Sequence, residues 1–345
     1  MEPSPAPGRI LVLMLRRIGD VLLTTPAVRA LRRAFPEARI DFAVEAPADQ
    51  VLRGNPDLSA VLVCERSPLG LLRAAARVRA ARYDWTVDFM GTPRSAMLSF
   101  ASGAALRAGP AQVSHRWAYN RRLTQSSEAC YSALEKVRVL RQLGLSPDET
   151  DLLPRLSPPP ASRLWAQELL RSLFPGAGPV VALVPGSRKP TRRWPARHYA
   201  ELGRLLRERC GARVLVCWGP GERDLAEEVA AGIGPDAALH PPVSDLLDLA
   251  AILSLCRAVV TNCSGPRHIA TACGTPTLTV HASSDPACWN PPDRSRFPVV
   301  RRSELGCIGC RLNDCPKALE CLEALAPARV FEAAEKLMSL EAKCG

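Results

Sequence analysis

A chain of 345 residues is long enough for two domains of ordinary size, and its 47% hydrophobic share supplies cores that Leu, Val and Ala must build, since only 5% of residues are aromatic. The formal charge of +11 points to anionic partners such as phosphates, nucleic acid or an acidic membrane surface, although a coding bias toward Arg yields the same sign. The Pro-rich start carries an acid, the apolar run 10–15 is too short for a secretion-signal core, no stretch nears the ~20 apolar residues of a membrane span, and 13 scattered cysteines fit free thiols in a reducing cytosol better than a disulfide framework.

The first half alternates. Strands are expected over 10–15, 39–44, 60–63 and 85–88, and helices over 21–34, 69–81, 94–102 and 132–143. Such alternation implies a parallel sheet covered by helices on both faces. Asp20 ends the loop Arg16-Arg17-Ile18-Gly19-Asp20, between the first strand and the first helix. In an open α/β sheet ligands bind at the carboxyl ends of strands, where a carboxylate can take a proton from a bound substrate. The plainer reading is an N-cap aspartate. Residues 152–160 form a linker, because their prolines continue neither element.

The second half repeats the pattern, with strands over 180–184, 213–217, 258–261 and 277–280. Helices are expected over 161–174, 196–209, 223–231, 246–254, 266–273 and 327–340. Three strands end in loops suited to a nucleotide. Pro185-Gly186-Ser187-Arg188-Lys189-Pro190-Thr191-Arg192-Arg193-Trp194 joins a Gly-Ser turn to four cations, which is chemistry for a diphosphate. Arginine's fork suits phosphate oxygens. Asn262-Cys263-Ser264-Gly265-Pro266-Arg267-His268 opens a helix, with Pro266 fit for its first turn. Ser264 and the Gly265 amide offer donors to phosphate or sugar oxygens, and His268 is equally readable as a structural residue. Gly219 and Gly221 permit close approach of a ligand, and Glu222 accepts ribose hydroxyls or caps a helix. The expected architecture is α/β: two Rossmann-like domains facing each other across a cleft.

These segments together resemble glycosyltransferase family 9, the ADP-heptose:lipopolysaccharide heptosyltransferases. The resemblance rests on Ile18-Gly19-Asp20, Pro185-Gly186-Ser187 with Arg192-Arg193-Trp194-Pro195, Ser264-Gly265-Pro266-Arg267-His268 with Gly274-Thr275-Pro276, and Tyr83 through Ala96. It implies a GT-B fold with an N-terminal acceptor domain over 1–155 and a nucleotide-sugar domain over 156–326. A C-terminal helix in 327–345 is expected to pack back toward the first domain. It further implies a metal-independent, inverting glycosyl transfer. Asp20 is then the general base and Arg192 stabilises the leaving diphosphate. Ser187, Thr191, Arg193, Glu222, Ser264, Gly265 and His268 hold the donor, and Arg16, Arg17, Gly19 and Arg94 meet the acceptor. Two positions depart from the family pattern. Cys263 stands where an acid is usual, and Val280-His281-Ala282-Ser283 stands where Phe-Gly-Pro-Thr is usual.

The implied donor is ADP-heptose and the implied acceptor an anionic glycolipid of the lipopolysaccharide core, met by a cytoplasmic enzyme touching the inner-membrane surface. Arg29, Arg32 and Arg33 on the first helix join Arg16 and Arg17 as candidates for that contact. A transferase using another nucleotide sugar is the nearest rival. A nucleic-acid-binding protein lacks interleaved aromatics, and a nicotinamide dehydrogenase lacks Gly-x-Gly-x-x-Gly after the first strand. No catalytic cofactor is expected. Cys307, Cys310, Cys315 and Cys321 suit a tetrahedral thiolate site for structural zinc, with free thiols as the alternative.

Overall fold

A computed structural model describes residues 6–340, and the chain divides into two units between Arg155 and Leu156. In the first, six strands form one parallel sheet: β1 (Arg9–Leu13), β2 (Arg39–Val44), β3 (Ala60–Val63), β4 (Trp85–Asp88), β5 (Leu106–Pro110) and β6 (Arg121–Leu123), ordered β3-β2-β1-β4-β5-β6. Helices α1 (Ile18–Leu22), α2 (Thr25–Ala34), α3 (Pro68–Ala80), α4 (Pro93–Ser102) and α5 (Ser132–Arg138) connect or flank them. The central strand β1 is an apolar run, and Ile10 to Leu13 are fully buried, as a strand covered on both faces requires.

The single helix expected over 21–34 is two helices. Pro26 cannot extend a preceding helical turn, because it lacks an amide hydrogen and its ring crowds the carbonyl four residues back. It is well suited to start one. The Thr24 and Thr25 hydroxyls donate to the carbonyls of Asp20 (2.7 Å) and Leu22 (2.8 Å), taking up acceptors left at the end of α1. Asp20 therefore lies inside a short helix rather than ahead of one.

The second unit continues with α6 (Pro160–Leu173), β7 (Val180–Val184), α7 (Ala196–Cys210), β8 (Arg213–Val216), α8 (Arg223–Ile233), β9 (Ala237–Leu239) and α9 (Leu246–Ser254). Then come β10 (Ala258–Asn262), α10 (Gly265–Ala272), β11 (Thr277–Val280), α11 (Pro286–Trp289), β12 (Val299–Val300), α12 (Glu320–Glu323) and α13 (Pro327–Leu340). Its six strands are again parallel, ordered β12-β11-β10-β7-β8-β9. Helix α13 lies on α7 and on β10 and β11 of its own domain, with Val330, Phe331, Ala334 and Leu337 inside that core. The apolar stripe of α13 completes the cover of the second sheet. Residues 341–345 of the expected segment lie outside the described residues.

Read from its first strand, each sheet has the same order, and each reverses direction at one point: between β1 and β4, and between β7 and β10. Ligands of open α/β folds bind at the carboxyl side of such a reversal. The loops that follow these four strands hold most of the polar motifs.

Candidate active site

In the N-terminal domain the loop after β1 exposes Arg16 and Arg17 and leaves Asp20 half-buried, with Gly19 buried beneath. The Arg17 amide donates to the Asp20 carboxylate over 3.4 Å, a long bond that leaves most of the carboxylate's acceptor capacity open. Lys136 of α5 was not legible as a site residue. It donates to the Ser132 hydroxyl at 2.6 Å. Burial pulls its pKa down, and the charge of Asp20 is the strongest influence holding it up.

Arg94 is occupied within the domain. Its Nε lies 3.2 Å from Glu45, and its terminal nitrogens donate to the carbonyls of Arg66 and Glu65. Glu45 is almost fully buried and also pairs with Arg66 at 3.1 Å. The basic face of α2 is likewise committed. Arg29 is buried against Asp151 at 2.8 Å, Arg33 bonds Asp151 at 2.7 Å, and Arg32 donates to the carbonyls of Pro36 and Ala38. These three arginines staple the domain together, with Arg33 still half exposed. Next to β1, the carboxylate of Asp88 at the end of β4 is fully buried. It accepts from the amides of Met90 (2.8 Å) and Gly91 (3.0 Å) and from the Tyr119 hydroxyl (2.7 Å). Burial raises its pKa against those bonds.

In the C-terminal domain the loops after β7 and β10 are tied to each other by one side chain. Asn262 is fully buried; it donates to the Pro185 carbonyl at 2.8 Å and accepts from the Trp194 amide at 3.1 Å. Both ends of the basic loop are thereby anchored to the last residue of β10. Trp194 is itself fully buried and donates from its indole to the Leu325 carbonyl at 3.1 Å. Within the loop Ser187 and Thr191 are buried. Arg193 donates to the Ser187 carbonyl from Nε and Nη2. Arg192 carries a buried Nε that is unpaired among the described residues.

Glu222 lies at the start of α8, with its carboxylate accepting from the Gly219 amide at 3.1 Å. That carboxylate lies directly over Gly186: a Cβ there would come within 2.1 Å of Oε2. The loops after β7 and β8 thus converge. Ser264 immediately precedes α10 in extended conformation, with a buried hydroxyl unpaired among the described residues. Gly265 opens the helix, and His268 is buried beside Arg267, whose guanidinium donates to the Trp289 carbonyl at 2.7 Å. Cys263 is also buried.

The thiols expected to hold zinc sit in a segment laid against the same loops. The Thr191 hydroxyl donates to the Leu312 carbonyl at 2.8 Å, and the Arg311 amide donates to the Ser283 carbonyl at 2.7 Å. Ser283 in turn donates to the Thr191 hydroxyl at 3.1 Å. Thr191 therefore braces the basic loop. Cys307, Cys310, Cys315 and Cys321 are free thiols. Burial chiefly raises the pKa of Cys321, and the other three add to it. Among the described residues no group of three or more His, Cys, Asp or Glu is placed to hold a metal ion, so the four sulfurs do not form the expected tetrahedral site here.

His281, one of the departures from the family pattern, is fully buried at the end of β11 with Nδ1 3.0 Å from the Ser284 hydroxyl. Burial first, and then Arg267, lowers its pKa to about 3. An unfolded histidine protonates near 6.5, so between those values the unfolded chain binds a proton that the native state refuses. Stability contributed by the neutral imidazole is intact above about pH 6.5 and falls as pH drops, by about 1.4 kcal/mol per unit. His281→Asn should flatten the decline of unfolding free energy between about pH 6 and pH 4, read by urea titration. A variant whose decline parallels the native protein's would exclude His281 as a source.

Two all-parallel Rossmann-type sheets, with cation-bearing and small-residue loops at their points of reversal, have the architecture of a GT-B glycosyltransferase. The model of Glycosyltransferase family 9 (heptosyltransferase) matches residues 71–318, and the chain belongs to that family. It is 27% identical over 297 residues to lipopolysaccharide heptosyltransferase 1 of Escherichia coli K12, covering 81% of this chain and 89% of the relative. Among solved structures, a family 9 glycosyl transferase from Veillonella parvula superposes with a TM-score of 0.85 at 24% identity, covering 98% of this chain and 99% of that one. The E. coli heptosyltransferase WaaC, solved with ADP-2-deoxy-2-fluoro heptose, superposes with a TM-score of 0.72 at 22% identity over 95% and 99%.

Proposed function

We propose that this enzyme transfers a heptosyl unit from ADP-heptose to a hydroxyl of an anionic lipopolysaccharide-core acceptor, with inversion and without a metal. The observation that carries the reading is the half-buried Asp20 at the carboxyl end of β1, beside exposed Arg16 and Arg17. It offers a base and two phosphate-seeking cations within five residues. In the proposed step the acceptor oxygen attacks the anomeric carbon while its proton passes to the Asp20 carboxylate. The bond from that carbon to the β-phosphate oxygen breaks, and ADP leaves with the electron pair. Arg192 meets the growing charge of the diphosphate. Ser187, with Gly186 packed under Glu222, shapes the loop around it, and Glu222, Ser264, Gly265 and His268 hold nucleotide and sugar. Thr191 and Arg193 act by bracing that loop.

A second reading, transfer from a different nucleotide sugar, is favoured by the buried Cys263 and His281 that stand in place of the usual family residues. The test presents ADP-heptose, UDP-sugars and GDP-sugars separately, with a deacylated core oligosaccharide, and follows product by mass spectrometry. Product from ADP-heptose is expected. Product from another nucleotide sugar only would overturn the donor assignment, and none from any donor would overturn the proposed function.

A further inference from the structure

The largest exposed apolar side chains of the N-terminal domain lie mostly on two neighbouring helices and the turn after β5. Helices α3 and α4 pack against each other, and the bonds from Arg94 to the carbonyls of Glu65 and Arg66 hold their N-terminal ends side by side. Each turns an apolar stripe to solvent: Leu69 and Leu72 (64% exposed) on α3, Met97 and Phe100 (53% exposed) on α4. Trp117 (56% exposed), in the short turn after β5, packs edge-on against Phe100 with ring centroids 5.2 Å apart. In a chain with only 5% aromatic residues, an exposed Trp–Phe pair beside three exposed aliphatic residues is a cluster that water does not favour.

The charge around the cluster is predominantly positive, with exposed Glu65 3.8 Å from Arg73 as its acidic member. From Arg66 to Arg122 the sequence holds ten arginines against two aspartates, Asp84 and Asp88, and Asp88 is fully buried. Arg66, Arg73 and Arg116 are exposed around it, and the Arg107 guanidinium lies 5.9 Å from the Phe100 ring centroid. Aromatic and aliphatic side chains that enter the headgroup region, ringed by guanidinium groups, match an anionic bilayer surface. Tryptophan in particular favours that boundary.

We infer that the α3–α4 face with Trp117 docks the enzyme on an anionic lipid bilayer: Phe100, Trp117 and their aliphatic neighbours enter the headgroup layer and Arg66, Arg73 and Arg116 meet lipid phosphates. This extends the proposed function, since a lipid-anchored acceptor is presented at such a surface. It does not depend on the donor or on Asp20.

The full-length protein is to be co-sedimented, without donor or acceptor, with vesicles of phosphatidylglycerol and phosphatidylethanolamine, and separately of phosphatidylcholine alone. The expected result is binding to the anionic vesicles and little to the neutral ones. The surface double variant Phe100→Ser/Trp117→Ser should lose on the order of ten-fold in vesicle affinity. Arg73→Gln and Arg116→Gln should each lose about five-fold. Both sets should keep native turnover of the soluble deacylated acceptor. Equal vesicle binding by native protein and double variant would overturn the docking face. So would equal binding to neutral and anionic vesicles, or self-association in analytical ultracentrifugation that only the native protein shows. Salt-sensitive binding to a DNA duplex without vesicle binding would reassign the face to nucleic acid. Loss of soluble turnover with every donor would instead count against the proposed function and leave the vesicle result standing.

Discussion

Asp20→Ala should lower kcat for heptosyl transfer by roughly 100-fold or more, with donor and acceptor KM changed little. A general base acts on the proton that moves in the transition state, and such groups contribute about 100- to 10,000-fold. Asp20 is suited to the task because the Arg17 amide contact at 3.4 Å claims little of its acceptor capacity and Lys136 stands within its electrostatic reach. The competing role, a carboxylate that merely caps the short helix α1, has a different signature. Loss of a cap costs about 1 kcal/mol of stability and leaves the chemistry intact. Asp20→Asn separates the two, since the amide oxygen still accepts from Arg17 but cannot take the acceptor's proton. A lowered melting temperature with native kcat in Asp20→Ala, and full turnover in Asp20→Asn, would remove Asp20 from the mechanism.

The parts of this molecule that could be read from the sequence are those that local chemistry dictates. The apolar runs beginning at Ile10 and Val180 are buried parallel strands, and a buried strand announces itself as a continuous hydrophobic run. Strands β5, β6, β9 and β12 escaped, because Leu-Arg-Ala-Gly-Pro, Arg-Arg-Leu and the two- or three-residue edges carry no such run. Their pairing is imposed by neighbours already in the sheet. The break between α1 and α2 was written in Pro26, whose position inside an otherwise periodic segment hid it. Polar motifs at strand ends were legible as loops, while the partners of their side chains were not. Nothing near Asn262 in sequence says that it binds Pro185 and Trp194, or that Glu45 claims Arg94, because those contacts join segments far apart in the chain. The same distance hid the partners of the α2 arginines, Asp151 for Arg29 and Arg33 and the Pro36 and Ala38 carbonyls for Arg32.

Arg192→Ala should cost about 100- to 1,000-fold in kcat, the scale on which a charge-stabilising donor aimed at a departing anion contributes, whereas Arg193→Ala should act chiefly through donor KM and stability. The two arginines are adjacent and chemically identical, so only their partners distinguish them. Arg193 donates twice to the Ser187 carbonyl, which fixes the curvature of the loop and consumes its fork. Arg192 has a buried Nε unpaired among the described residues, in a loop that Asn262 anchors at both ends and Thr191 braces from the side. A buried, unpaired donor on a guanidinium is costly, and an oxyanion would relieve that cost most fully when its charge is greatest, as the diphosphate leaves. Arg192→Lys should recover part of the rate, since it restores the charge without the fork. Donor affinity, measured by calorimetry with ADP, should fall less in Arg192→Ala than kcat does, because the contact strengthens in the transition state. Equal losses in affinity and kcat would mean that Arg192 binds the ground state equally well. A greater loss of kcat in Arg193→Ala, at unchanged melting temperature, would exchange the two assignments.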